Sequence, residues 1–178
     1  MSLVYLSLGS NKGDRLYSLA RAFTEVSEKV GKVVAYSSVY ETEPWGFVAE
    51  QQFYNQVLVA ETDLSPVELI KTLLQTEALL GRVRQPGAYE SREIDIDILL
   101  YDDQILDDAS LQIPHPRLHQ RMFVLEPLAE VAPKVVHPLF GITARQLIDD
   151  CSDTTRIVIK YRQQMIPSLF EESLKAGQ

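Results

Sequence analysis

The chain has 178 residues, a net charge of −8 and 24% charged side chains. That length suits one domain with a substantial core, and the acidic balance disfavours non-specific nucleic-acid binding, which runs on basic surface and counterion release. The single cysteine, Cys151, excludes an internal disulfide and supplies no zinc cluster. No apolar run approaches the ~18–20 residues of a membrane span, and Met1-Ser-Leu-Val-Tyr-Leu6 has no basic leader region, so a cytoplasmic protein without a membrane partner is expected.

Leu3 to Leu8 alternates as a strand and stops at Gly9-Ser-Asn-Lys-Gly13, read as a strand-to-helix turn whose glycines supply φ > 0. That segment lacks the endings of a Walker or dinucleotide motif. Asp14 caps a helix carrying Leu16, Leu19, Ala20, Phe23 and Val26, ended by Gly31. Val33 to Tyr40 predicts a second strand, Glu43-Pro44-Trp45-Gly46 a loop, and Phe53 to Glu61 a third strand. Ser65-Pro66 opens a second helix, with Pro66 at its first position, which runs to Gly81. A loop from Arg82 to Ser91 precedes the strand that ends at Tyr101. The order β-α-β-β-α-β predicts an α+β, ferredoxin-like fold, an antiparallel sheet with helices packed on one face. Short C-terminal additions follow: helices over Met122 to Ala129 and Thr143 to Asp149, and an edge strand over Arg156 to Ile159. The expected organisation is one domain over 1–160 and a tail of unassigned role over 161–178, either a frayed helix or disordered.

The segment Arg92-Glu-Ile-Asp-Ile-Asp-Ile-Leu-Leu100 holds the strongest chemical signal. Strand alternation sends Ile94, Ile96 and Ile98 to one face and Glu93, Asp95 and Asp97 to the other. Two residues along a strand span roughly 6.5–7 Å, so the Asp95 and Asp97 carboxylates stand side by side. Such a pair repels itself unless a cation intervenes, and Mg²⁺ binds through one or two carboxylates plus water and phosphate oxygens. An exposed acidic face on an edge strand is the plain alternative. Arg82, Arg84 and Arg92 close by favour a metal-bridged polyphosphate. Trp45 on a loop offers a flat stacking surface. Asn55, beside Phe53, offers donor and acceptor together, as a heterocycle with amide and amine edges requires. His115, held between two prolines, suits a phosphate donor or a structural role, and Arg117 and Arg121 add positive charge. Glu77 reads as a cap-region acid, a partner of Arg82 or a ligand contact.

Taken together, Leu6-Ser-Leu-Gly-Ser-Asn11, Tyr40-Glu-Thr-Glu-Pro-Trp-Gly46, Phe53-Tyr-Asn55, Leu80-Gly-Arg-Val-Arg84, the acidic strand, and Ile113-Pro-His-Pro-Arg-Leu-His-Gln-Arg-Met-Phe-Val-Leu125 resemble the 6-hydroxymethyl-7,8-dihydropterin pyrophosphokinases of folate biosynthesis. The resemblance implies ATP as donor, a reduced pterin as acceptor, two Mg²⁺ ions, and AMP and the pterin pyrophosphate as products. By position it implies that Asp95 and Asp97 hold metal and that Arg82 and Arg92 engage the phosphates. It also places Thr42, Trp45, Phe53, Asn55 and Phe123 around the pterin, and Glu77, Arg84, His115 and Arg121 around ATP. The chain departs from the family before Arg92, where Ala88, Glu90 and Ser91 replace a basic residue, a glycine and a small residue or proline, and Tyr89 replaces a tryptophan of some members.

In-line attack on the β-phosphorus suits this set, with metals and arginines stabilising charge on the phosphate oxygens. No side chain stands out as a general base. The loop 82–91 is expected to close over ATP. Two other readings use part of the same evidence: a metal-dependent nuclease or phosphohydrolase, and a non-catalytic ferredoxin-like binding module. Oligomeric state is not encoded in any motif; a monomer is the working expectation.

Overall fold

The computed structural model describes residues 1–44, 48–82 and 91–177. Strand β1 (Ser2–Ser10) is buried continuously from Val4 to Ser10, because it lies inside the sheet and both its faces are covered. Helix α1 (Arg15–Lys29) follows, capped by the Asp14 carboxylate, which accepts from the Tyr17 N–H. Next come β2 (Lys32–Tyr36), β3 (Val39–Thr42) and β4 (Phe53–Thr62). Helix α2 (Pro66–Leu79) starts at a reciprocal Ser65/Glu68 capping box with Pro66 in its first turn, as the sequence predicts. Strand β5 (Asp95–Tyr101) is the acidic strand.

The sheet runs β5-β1-β4, with β2 and β3 both paired to β4 on its far side, and every pairing is antiparallel. Counting β2 and β3 as one broken strand, this is the ferredoxin-like order. The single strand predicted over Val33 to Tyr40 is interrupted at Ser37-Ser38. There the Ser37 hydroxyl, in place of a carbonyl, accepts from the Val57 N–H (2.9 Å), and Ser38 donates from both N–H and hydroxyl to Glu130 (2.9 and 2.7 Å). Side-chain oxygens that bond backbone groups compete with the ladder.

α1 and α2 pack on one sheet face, where Leu19, Ala20, Val26, Leu69 and Leu73 meet Val4, Leu6, Leu8, Ile94, Ile96 and Ile98. The opposite face is closed as well, a layer not foreseen in the sequence. Helices α3 (Met122–Val131) and α4 (Ala144–Asp150) bring Val124, Leu125, Leu128 and Leu147 against Tyr5, Val57, Val59, Leu99 and Leu100. A short hairpin, β6 (Leu106–Asp108) with β7 (Leu111–Ile113), links β5 to this layer. Its three-residue strands are too brief to show periodicity in sequence.

The predicted edge strand is present as β8 (Ile157–Tyr161), paired with β3. Of the two readings of the tail, the helical one holds and the disordered one does not: α5 (Ile166–Ala176) is present, and it is packed rather than frayed. Its Ile166 and Phe170 are buried in the first core, and the Phe170 ring meets that of Phe23 edge-on at 5.7 Å. Apolar residues at helical spacing fold when a neighbouring face accepts them. Among the described residues no helix is long and apolar enough to cross a membrane.

Candidate active site

Tyr5, Ser7 and Gly9 alternate onto the α3 side of β1. Tyr5 is core, whereas Ser7 and Gly9, further along the strand, line a cavity of about 250 Å³. Strand register decides what stands beside them: Asp95, Gly9 and Asn55 form one row across three strands, and Asp97 lies opposite Ser7. Gly9 is the low point of this floor. A Cβ there would come within 3.2 Å of Asn55 Oδ1 and 3.7 Å of the Phe53 ring. Gly9 has no positive φ, unlike Gly13 (φ 64°), so the turn reading holds for Gly13 and fails for Gly9. A glycine inside a strand marks close approach of another group.

The first wall carries charge. Asp95 receives the guanidinium of Arg82 on one oxygen and that of Arg92 on the other, at 2.5 Å. Burial pushes the Asp95 carboxyl upward, but Arg92 and Arg82 outweigh it and hold the group below its usual range. Arg82 is pinned from behind by Glu77, whose Oε1 accepts from Arg82 at 2.5 Å and from the Ile96 N–H at 2.7 Å. Glu77 is 1% exposed and does not line the cavity, so of the three readings its geometry favours partnership with Arg82.

Asp97 sits deep in the fold but opens onto the cavity, its side chain 40% exposed. Removal from bulk water, and then the charge of Asp95, push its carboxyl up to about 7. His115 Nε2 stands 3.9 Å from it. The Arg117 N–H donates to His115 Nδ1 (3.1 Å), which leaves the proton of the neutral ring on Nε2, facing inward. Burial, then the charge of Arg121, brings His115 down to about 4, so the ring is a neutral donor. Its position comes from a bulge: β5 has one residue more than β1 beside Tyr5/Leu6, and the Leu99 carbonyl accepts from the His115 N–H (2.9 Å). Bulges beside active sites re-aim side chains in this way.

The second wall is amide and aromatic. Asn55, 3% exposed, donates from its amide to the Thr42 hydroxyl at 2.7 Å, which leaves its carbonyl oxygen toward Gly9. Phe53 and Phe123 complete this side. The Arg92 guanidinium lies 6.0 Å from the centre of the Phe53 ring, and Arg121 lies 5.7 Å from that of Phe123. Arg121 and Phe123 are set by the start of α3, where the Met122 N–H donates to the Asp153 carboxylate (2.9 Å) from 31 residues away. Only tertiary contact reveals that cap.

Ten of the predicted site residues therefore share one cavity: Thr42, Phe53, Asn55, Arg82, Arg92, Asp95, Asp97, His115, Arg121 and Phe123. Trp45, Arg84 and Tyr89 fall outside the described residues. The cavity also has Ser7, Gly9 and Glu43 in its wall, none of them foreseen as site residues. A second hollow of about 460 Å³ shares Asp97 and His115 and is bordered by Ile70, Leu74, Ile98 and Leu111 on one side and by the polar hairpin residues Asp107, Asp108, Ser110 and Gln112 on the other. No cluster of three or more potential metal-binding His, Cys, Asp or Glu residues occurs among the described residues. The all-oxygen pair Asp95/Asp97, with one carboxyl destabilised by its neighbour, suits a hard cation that completes its shell from water and phosphate, such as Mg²⁺.

Comparison with known proteins gives the family. The sequence model of the 7,8-dihydro-6-hydroxymethylpterin-pyrophosphokinase (HPPK) family matches residues 5–133. The chain is 41% identical over 140 residues to the 2-amino-4-hydroxy-6-hydroxymethyldihydropteridine pyrophosphokinase of Aquifex aeolicus, covering 79% of this chain and 86% of that one. It is 42% identical over 141 residues to the enzyme of the same name from Porphyromonas gingivalis, covering 78% and 95%. The crystal structure of wild-type Plasmodium falciparum HPPK-DHPS shares the fold, with a TM-score of 0.68 at 18% identity over 84% of this chain. This chain spans 44% of that longer protein. With the family match running from β1 through α3, and so through the strands and the helix that build the cavity, the chain belongs to the 7,8-dihydro-6-hydroxymethylpterin-pyrophosphokinase family.

Proposed function

We propose that the cavity carries out the reaction for which the family is named: transfer of pyrophosphate from ATP to the hydroxymethyl group of 6-hydroxymethyl-7,8-dihydropterin, a step of folate biosynthesis. The observation that carries this reading is the division of one cavity into two chemistries. Asp95, Asp97, Arg82, Arg92, Arg121 and His115 suit a polyphosphate, and Asn55, Thr42, Phe53 and Phe123 suit a flat heterocycle with amide edges.

In this reading Asn55 and the Thr42 segment orient the pterin between the two phenyl rings, with its hydroxymethyl group toward Asp97. The second hollow, apolar along Ile70, Leu74, Ile98 and Leu111, takes the base and ribose of ATP and leads its phosphates past His115 and Asp97. Asp95 and Asp97 would hold the Mg²⁺ ions, two by the resemblance, and these would supply neutralisation of charge on the phosphate oxygens. Arg82 and Arg92, resting on Asp95 in the free protein, turn to phosphate oxygens when ATP is present. Arg121 and the neutral His115 donate from the opposite side, in a site shielded enough to strengthen each contact. Alignment of the hydroxyl with the β-phosphorus is then the main contribution of the chain, and no side-chain base is required. The acidic balance of the chain supports a protein without a nucleic-acid partner, and a monomer stays the working expectation.

A steady-state assay with saturating pterin and Mg-ATP tests this, with AMP and pterin pyrophosphate as readout. Asp97→Ala is expected to lose at least a hundredfold in turnover; activity within tenfold of wild type refutes the metal role. ATP hydrolysis that proceeds equally without pterin would favour a phosphohydrolase. Calorimetry with a non-hydrolysable ATP analogue should show stronger pterin binding when the analogue and Mg²⁺ are present.

A further inference from the structure

The segment Gly9-Ser-Asn-Lys-Gly13 contains a residue the reaction has not yet used. Asn11 lies just past β1, 2% exposed, and it makes three hydrogen bonds to Ser91 and Arg92, in the segment that leads into β5. Its backbone N–H donates to the Arg92 carbonyl (3.1 Å), and its Oδ1 accepts from the Arg92 N–H (2.8 Å). Its amide donates to the Ser91 hydroxyl (3.1 Å). Both backbone polar groups of Arg92 are thus held by one residue, two positions beyond Gly9 in the floor of the cavity. The guanidinium of Arg92 is fixed independently, on the Asp95 carboxylate and beside the Phe53 ring. The neighbouring Lys12–Glu93 pair (2.7 Å) is exposed and weak by comparison.

The geometry points to Asn11 and Ser91 as positioning residues for Arg92 in pyrophosphoryl transfer. This rests on the reading of Arg92 as a phosphate-engaging residue. A long side chain delivers charge accurately only if its Cα is fixed, and the Asn11 side chain replaces a strand partner where the β1–β5 ladder ends. Ser91 stands where the family carries a small residue or proline. Its hydroxyl gives the buried Asn11 amide an acceptor that alanine or proline lacks. Asn11 does not touch the space open to substrate and is not itself catalytic.

The test is a double-mutant cycle read by the single-turnover rate of transfer, so that product release does not mask the step. Asn11→Ala is expected to slow transfer about tenfold to a hundredfold, the scale of a misplaced catalytic group, and Ser91→Ala about threefold, with the KM for pterin within about threefold for both. In an Arg92→Ala background each substitution should cost less than about twofold more. Equal losses with and without Arg92 overturn the inference, as does full-rate transfer by both single variants when Arg92→Ala is slow. Full-rate transfer by Arg92→Ala itself refutes the underlying role of Arg92, a different failure. Ser91 is exposed, so Ser91→Ala keeps the cycle informative should Asn11→Ala fail to fold.

Discussion

Gly9→Ala separates the needs of the fold from those of the site. Gly9 has no positive φ, so alanine fits the backbone, and replacing glycine reduces the freedom of the unfolded chain by about 0.4–1 kcal/mol. Against this, the new Cβ stands 3.2 Å from Asn55 Oδ1, which obliges the Asn55 side chain to shift a few tenths of an ångström. That side chain is tied to Thr42 at 2.7 Å, and weakening one such bond costs about 0.5–1.5 kcal/mol. The two effects nearly cancel, so stability should stay within about 1 kcal/mol of wild type. Binding does not enjoy that cancellation. The methyl group raises the floor and displaces the Asn55 amide, the proposed pterin reader; loss of one well-placed hydrogen bond should weaken the pterin about tenfold, with ATP affinity held within about twofold because the groups proposed to bind it lie on the other wall. Urea denaturation and calorimetry with pterin measure the two quantities. Unchanged pterin affinity, or destabilisation beyond about 2 kcal/mol, refutes the reasoning.

Glu130→Ala strands buried donors on Ser38 and Tyr40, whose hydroxyl bonds Glu130 at 2.8 Å. About 3 kcal/mol of stability should be lost for the three bonds, read as a lower urea midpoint. Removing residues 162–178 uncovers the site of Ile166 and Phe170 and should cost about 3–6 kcal/mol at 1.5–3 kcal/mol for each side chain; an unchanged melting temperature would contradict a packed α5. His137 has its pKa lowered to about 4 from 6.5, by burial and then by His119. The unfolded histidine therefore takes its proton first, and stability falls as pH drops from about 6.5 to about 4, with no further change from this group below that. The loss, discounted for partial solvent screening, is about 1–2 kcal/mol; His137→Gln should flatten that part of the stability–pH curve, and an unaltered curve would refute the assignment.

Much of the site was legible because strand alternation is a short-range rule. Asp95 and Asp97 share a face whatever surrounds them, and the capping signals at Asp14 and Ser65 act within one turn. The βαββαβ order likewise follows from local periodicity. Gly9 looks like a turn residue in sequence but lies in β1, because sequence does not say where a strand ends. Glu77 kept three readings until its carboxylate was seen to bond both Arg82 and the Ile96 N–H.

By itself, then, the sequence determined the order of the main βαββαβ elements, the paired carboxylates and, through its motifs, the family. Only the tertiary structure decided that Asp95, Gly9 and Asn55 form one row, that Asp153 caps α3, that α5 packs on the core, and that Asn11 holds Arg92. The physical reason is range. Periodicity and caps are interactions between residues a few positions apart, whereas register, bulges and buried hydrogen bonds join segments tens of residues apart, and their partners are chosen by packing of the whole chain.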